Sequence, residues 1–318
     1  VRGRLRRAVL TAIGGMLALA SLAACGPTPV VERFSIAGGG PTGVYYAFGE
    51  RLAVEVTERL GSQASVDETN GSVDNLLRIS EGRALFGFAQ SDVAADAVAG
   101  EGAFPEPVAV RAVARLYDEY VHVVVRDDSD IADLAELAGR TVSLGATGSG
   151  VSFVAGRVLD AAGLDVAAVD DRELGLAESI AALRDGEIEA FFWVGGLPTP
   201  GLTELFAQTP ARLLSIEPTT VDRVNARHDG VYRLAEFPIG AYGRTEATAT
   251  MTVPNYLVVA ESAPDEVVRD VLRVLFEARS EIAADVPAAA LLDRRQAIFT
   301  DPVPLHPGAI ASYRDARD

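Results

Sequence analysis

The sequence contains no lysine, so all 28 of its basic residues are arginine. It holds a single cysteine in 318 residues, which excludes an intrachain disulfide and any zinc site built on several thiolates. Its three histidines, His122, His228 and His306, show no i, i+3 or i+4 pairing, so a histidine metal site is not expected either. Positive charge as a whole is scarce, with 45 acidic side chains giving a formal net charge of −17. Phosphate backbones would be repelled by that balance, so nucleic acid is excluded as a partner. Composition by itself reads as a GC-rich, salt-adapted coding sequence rather than as an acidic face made for a basic partner.

What the chain does have begins at its first residues. Arg2, Arg4, Arg6 and Arg7 precede an uncharged, mostly apolar run from Ala8 to Ala20, followed by Leu22-Ala23-Ala24-Cys25. A basic start, a short apolar stretch and small residues before a cut site form a secretory signal, too short to span a membrane. Leu-Ala-Ala-Cys resembles the bacterial lipobox, which makes Cys25 the expected lipidation site and residues 1–25 a lipoprotein signal peptide. An ordinary signal peptide with an incidental cysteine is the plainer alternative; the position of the only cysteine favours the lipoprotein. The protein is therefore expected outside the cytoplasm, in the periplasm or at the cell surface, held to a membrane by its N-terminal lipid. Residues 26–33 read as a tether, and the 293 residues after Cys25 carry 24 basic against 45 acidic side chains.

From Phe34 onward, strand-like and helix-like segments alternate. Phe34–Ala37, 64–69, 85–89 and 108–116 are strand-like, and 44–60, 72–81 and 91–99 carry helical apolar spacing. That order implies a parallel sheet with crossover helices. Val121–Val125 reads as a strand leaving this unit. A second series follows, with strands at 141–144, 166–169, 190–194 and 212–216 and helices at 150–162 and 176–185. The extended stretch 251–260 and a long amphipathic helix at 263–284 bring the chain back. The expectation is an α/β fold of two lobes joined by two crossing hinge strands, 34–120 plus 255–318 forming lobe 1 and 121–254 lobe 2.

The glycine-rich turn Gly38-Gly39-Gly40-Pro41-Thr42-Gly43 follows a strand and opens a helix, with Asp67 and Glu68 downstream. Taken literally it matches a dinucleotide fingerprint. Pro41 removes an amide that would face the pyrophosphate, and Val44 stands where a P-loop needs lysine, so both nucleotide readings are rejected. No cofactor is expected. What survives is a helix N-terminus with free N–H groups that favour an anion. The pattern recurs at Thr69-Asn70-Gly71-Ser72, at Gln90-Ser91-Asp92 and at Thr147-Gly148-Ser149-Gly150, each at the carboxyl end of a strand, where open α/β sheets bind ligands. Each alone is an ordinary helix cap. Together, split between two lobes, they describe a cleft that closes on a small anion. Tyr45 and Tyr46 are adjacent, so one is expected in the cleft and one in the core. Trp193, with Gly195, ends a second-lobe strand and divides evenly between packing and the cleft floor. Asp127-Asp128-Ser129-Asp130 reads as a helix cap rather than a calcium loop, and His306 as a turn residue.

These segments resemble a known family. GGGPTGVYYAFGE (38–50), ETNGSVDNLLRISEG (68–82), FGFAQSDVA (86–94), SLGATGSGV (143–151) and LHPGA (305–309) are similar, in order, to the motifs of the TAXI-family solute-binding subunits of TRAP transporters. The resemblance spans nearly the whole chain after the tether. It implies a periplasmic-binding-protein fold of the second type, a sodium-driven TRAP permease in the membrane as partner, and a carboxylate-bearing ligand such as glutamate, glutamine, 2-oxoglutarate or a dicarboxylate. It also implies that Gly40, Thr42, Gly43, Tyr45, Thr69, Asn70, Ser72, Gln90, Ser91, Thr147, Gly148, Ser149 and Gly150 line the cleft. Two rivals stand beside this receptor: a ligand sensor of the same fold acting on a membrane kinase, and an extracytoplasmic enzyme. The enzyme lacks any acid–base or nucleophile grouping in the sequence.

Overall fold

The computed structural model describes residues 33–228 and 230–316. The signal segment, Cys25 and the tether up to Glu32 lie outside the described residues.

Strand β1 (Arg33–Ala37) runs through the glycine-rich turn into helix α1 (Val44–Leu60), whose Val44, Phe48, Leu52 and Val56 share one buried face. Their regular four-residue spacing is what makes this segment helical. Gly61 ends it at a φ of 72°, which lets its N–H return to the Thr57 carbonyl. Then follow β2 (Gln63–Asp67), α2 (Ser72–Ser80), β3 (Phe86–Gln90) and α3 (Ser91–Ala99). Strand β1 pairs in parallel with both β2 and β3, so the helices act as crossovers.

Strand β4 (Val110–Arg126) is one continuous strand of 17 residues. The sequence suggested two separate strands here, at 108–116 and 121–125, with Asp118-Glu119 in the gap between them. The structure keeps both residues extended, because the Glu119 side chain turns inward between buried Tyr117 and Val121 instead of opening a turn. Beyond it come β5 (Thr141–Ser143), α4 (Gly150–Ala162), β6 (Asp170–Asp171), α5 (Leu176–Asp185), β7 (Ala190–Gly195), α6 (Pro200–Gln208), β8 (Ala211–Leu213), α7 (Pro218–Arg227) and β9 (Arg233–Phe237). Strand β10 (Thr248–Ala260) returns antiparallel to β4, and α8 (Asp265–Glu277), α9 (Arg279–Asp285) and α10 (Pro307–Asp315) close the chain. The expected single helix over 263–284 is thus broken, at Ala278.

The strands form one sheet in the order β2-β1-β3-β10-β4-β7-β5-β6, with β8 and β9 paired to the far ends of β4 and β10. Two sets of apolar clusters flank it. One set gathers residues from Phe34 to Tyr117 and from Tyr256 to Tyr313; the other gathers residues from Val121 to Met251 and Val253. Only β4 and β10 pass from one set to the other.

The segment 127–130 does not cap a helix. Asp128 instead pairs with Arg126, and it is Asp133 that accepts from the Ala135 and Glu136 amides to cap the short 3-10 turn Leu134–Leu137. His306 behaves as expected: its Nδ1 accepts from Gly308 N–H at 3.1 Å and caps α10. Among the described residues no helix is long and apolar enough to cross a membrane.

Candidate functional site

The carboxyl ends of β1, β3, β5 and β7 converge on a cavity of about 410 Å³ between the two halves of the molecule. Its volume suits a small metabolite. The first half supplies the glycine-rich turn, Glu68–Gly71, Gln90 and Glu119; the second supplies Gly145–Val151 without Gly148, Glu173–Glu178 and Phe192–Gly195.

Local hydrogen bonds explain why the turns hold their shape. Thr69 Oγ1 accepts from Gly39 N–H at 2.8 Å and from Gly71 N–H at 3.2 Å, and donates to Asn75 Oδ1 at 2.5 Å. One hydroxyl therefore ties the glycine-rich turn to the start of α2. Asn75 Nδ2 in turn donates to the Phe88 carbonyl at 2.8 Å, and Ser72 Oγ accepts from Gln90 N–H at 3.1 Å. On the opposite wall, Ser149 caps α4 by accepting from Ser152 N–H at 3.2 Å. The amides of Gly150 and Val151 lie in that first turn, where no intrahelical carbonyl serves them, and both residues line the cavity.

The halves meet closely around the cavity. Gly201 N–H donates to the Thr42 carbonyl at 3.1 Å, and Gly43 packs under the Trp193 ring. A Cβ added at Gly150 would lie 2.7 Å from Gln90 Cδ and 2.8 Å from Ser72 Oγ, so only glycine permits this approach. The Trp193 ring is held from behind. Its Nε1 donates to Thr199 Oγ1 at 3.1 Å, Thr199 N–H donates to Tyr242 Oη at 3.1 Å, and Tyr242 Oη lies 3.0 Å from His122 Nε2. His122 Nδ1 sits 2.9 Å from the Tyr120 carbonyl and must donate to it, so Nε2 is the acceptor. Burial pushes the His122 pKa down to about 3, which keeps the ring neutral.

Of the fifteen residues expected in the cleft, Gly40, Thr42, Gly43, Tyr45, Thr69, Asn70, Gln90, Thr147, Ser149, Gly150, Trp193 and Gly195 line the cavity. Ser72, Ser91 and Gly148 do not. Ser72 lies behind Gln90, Ser91 is buried below it, and Gly148 forms the turn at a φ of 72°. Tyr45 stacks on Phe88 with ring centroids 5.2 Å apart, and its hydroxyl donates to Glu119 Oε2 at 3.0 Å. Tyr46 is not in the core as expected; it is half-buried in a shallow groove beside Glu50 and Val66.

Two features escaped the sequence. The first is segment 173–178, where Glu173 accepts from Thr147 Oγ1 at 2.6 Å and α5 begins at the cavity rim. The second is Glu119, on the floor and 1 % exposed, which accepts from Tyr45 and, at 3.2 Å, from Asn255 Nδ2. Its signal was present: Tyr117, Glu119, Val121 and Val123 share one face of an alternating strand, so a carboxyl occupies an apolar position. Burial raises its pKa to about 8 despite these donors. No arginine or histidine lines the cavity, whereas Glu68, Glu119, Glu173 and Glu178 do. Among the described residues no group of His, Cys, Asp and Glu could hold a metal ion.

The architecture has many solved counterparts. One is described as a periplasmic transporter, 18% identical, with a TM-score of 0.56 over 92% of this chain and 93% of that one. Another is PhnD1 from Prochlorococcus marinus (MIT 9301) in complex with methylphosphonate, 9% identical, with a TM-score of 0.55 over 91% of this chain and 97% of that one. A third is the alkanesulfonate-binding protein SsuA from Xanthomonas axonopodis pv. citri bound to MOPS, 17% identical, with a TM-score of 0.50 over 90% and 91%. Similarity at these identities is one of fold: a mixed α/β, type II-like periplasmic binding protein with a curled sheet. The sequence model of the NMT1-like family matches residues 36–316, and the chain belongs to that family.

Proposed function

We propose that the protein is an extracytoplasmic solute-binding receptor that captures a small carboxylate-bearing metabolite and hands it to a membrane permease of the TRAP type. The observation that carries this reading is the cavity between the two halves, walled by glycine turns and the N-terminal amides of α4. Such amides compensate an anion locally, without a basic side chain. Surface acidity opposes this little, because distant charges are screened over about 8–10 Å. Structural counterparts described with methylphosphonate and with MOPS hold small anionic ligands in the same fold. The lobes would be 34–120 with 255–318 and 121–254, and Cys25 would carry the lipid anchor. Binding without turnover fits a cavity that no histidine lines and in which the Ser149 hydroxyl is committed to its cap.

Calorimetric titration of the soluble chain, refolded to remove carried-over ligand, tests this. The panel holds glutamate, glutamine, 2-oxoglutarate, dicarboxylates and an uncharged sugar. Saturable one-to-one binding of an acid, weakened by Ser149→Ala or Asn70→Ala, is the expected result. Binding of the sugar alone would overturn the carboxylate class.

A further inference from the structure

The floor of the cavity carries chemistry that a simple anion does not use. Glu119 sits there with one oxygen against the Tyr45 hydroxyl and the other against Asn255 Nδ2. Beside it, Gln90 Oε1 and Asn255 Oδ1 are buried acceptors without a donor, and the buried hydroxyls of Tyr117 and Ser91 have no partner either. Unserved polar atoms in a low-dielectric site cost free energy, so this cluster suits a ligand group that brings hydrogen bonds of its own. The rim repeats the bias, with Glu68, Glu173 and Glu178 exposed at the mouth and no basic side chain in the lining.

Resting on the receptor reading above, we infer that Glu119 is the specificity-determining residue of the cleft: it receives a protonated amino group of the ligand and releases its own proton to solvent as it does so. The ligand class narrows accordingly, from carboxylates in general to those that carry an ammonium group. In the empty site Glu119 is a neutral acid. Docking of R–NH3+ turns it into a carboxylate, one proton leaves for the solvent, and the pair remaining in the cavity is neutral. Three N–H donors of an ammonium group can serve Glu119 and its acceptor neighbours together. The ligand's carboxylate then faces the other wall, toward the amides of Gly150 and Val151.

The surroundings keep the empty-state carboxyl protonated. The groups packed against it are Tyr45 from α1, Tyr117 from its own strand, Gln90 from β3, Asn255 from β10 and Asp92 from α3. None is a cation, and Asp92 repels the ionised form. Arg157, beyond Asp92, is already paired with Asp92 and Asp96. Burial is the dominant cause of a pKa of about 8, so at pH 7 the protonated form predominates in the empty molecule.

The test compares amino acids with their 2-oxo counterparts: glutamate with 2-oxoglutarate, aspartate with oxaloacetate, and leucine with 4-methyl-2-oxopentanoate. Titration of the wild-type protein at pH 7 in buffers of different ionisation enthalpy counts the protons. The amino member of a pair should bind at least tenfold tighter, with release of close to one proton, and its affinity should rise up to tenfold per pH unit below 8 and level off above. In Glu119→Gln the proton release should vanish and the preference for the amino member should collapse, while the oxo acid binds as before. A merely structural role for Glu119 would instead weaken both members equally, and that result would overturn the inference. So would equal binding of both members by the wild type without proton release, which would leave the receptor reading intact. If no member of any pair binds, the carboxylate receptor itself fails, and this inference with it. The proton count needs no variant, so the outcome does not depend on how well Glu119→Gln folds.

Discussion

Arg157 Nη1 lies 2.7 Å from Asp92 Oδ2, joining helix α4 of the second half to helix α3 of the first. Arg157 Nη2 reaches Asp96 at 2.8 Å, and the Tyr232 hydroxyl donates to Asp92 at 2.5 Å. Asp92 is 4 % exposed and Tyr232 2 % exposed, so this contact between halves is shielded from water. It stands beside the cavity without lining it.

Breaking that contact should loosen the closed arrangement. Removing one partner of a buried ion pair strands the other, at a cost of about 3 kcal/mol. Arg157→Met should therefore lower the unfolding free energy and increase the radius of gyration measured by small-angle scattering with ligand present. It should also raise the ligand off-rate. Unchanged scattering and off-rate would mean that the pair only decorates the surface.

Gly150→Ala should act in the same direction by a steric route. The new methyl group meets Gln90 and Ser72 across the cavity wall. Separating the halves would remove that clash, and alanine suits a helical first turn better than glycine. Affinity is expected to fall at least tenfold while thermal stability of the ligand-free protein is unchanged or slightly higher, as calorimetry and thermal unfolding would report.

His122 sets an acid limit. Its pKa is pushed down to about 3, below the ordinary value of about 6.5 for the unfolded chain. A depressed histidine favours the folded state above the unfolded pKa, and that contribution is lost as pH falls from about 6.5 toward 3. Each pH unit in that window should remove up to about 1.4 kcal/mol. Chemical denaturation of wild type and His122→Asn at pH 7, 5 and 4 checks it: the difference between the two proteins isolates the histidine from the opposing slope of Glu119.

Glu119 sets the opposite slope. Its folded pKa of about 8 lies above the unfolded value near 4.5, so the ligand-free protein is favoured below 4.5 and loses stability as pH rises toward 8. Glu119→Gln should abolish that loss, making the variant relatively more stable at pH 8 than at pH 5. Ligand-free denaturation curves at the two values, for both proteins, decide it.

Thr69→Val keeps the shape of the side chain and removes three hydrogen bonds. It should destabilise by about 1–3 kcal/mol, since buried Gly39 N–H is left without its acceptor. Equal unfolding midpoints for the two proteins would show that the glycine-rich turn holds itself.

Much of the framework could be read directly. The helices at 44–60, 91–99, 150–162 and 176–185 have the same limits in sequence and structure, because each couples apolar periodicity to a polar or glycine start. The break at Ala278 was hidden, since the amphipathic pattern continues through it. Strand β4 was divided between 116 and 121 for a related reason: Asp118-Glu119 interrupts the apolar run, yet both residues stay extended and Glu119 forms part of the cavity floor. The site divides in the same way. Turns that bind through their own backbone announce themselves as glycine clusters. Glu119 and Gln90 belong to the same half, and residues 173–178 join them only when the two halves meet, which nothing local records.

Strands β4 and β10 lie side by side where they pass between the halves, with Thr252 opposite Tyr120, Val253 opposite Glu119 and Pro254 opposite Asp118. The pairing slips between Pro254 and Tyr256, and Pro254 has no N–H to give to the ladder. The molecule's spine is thus a two-stranded ribbon weakened at one rung, directly under the cavity. A ribbon flexes across its face far more readily than along its edge, so the weakened rung acts as a fulcrum. A few degrees of rotation there grow with distance into a large displacement at the rim. Any protein that touches both halves from outside could read an occupied cavity from the angle between them, without ever touching what is inside.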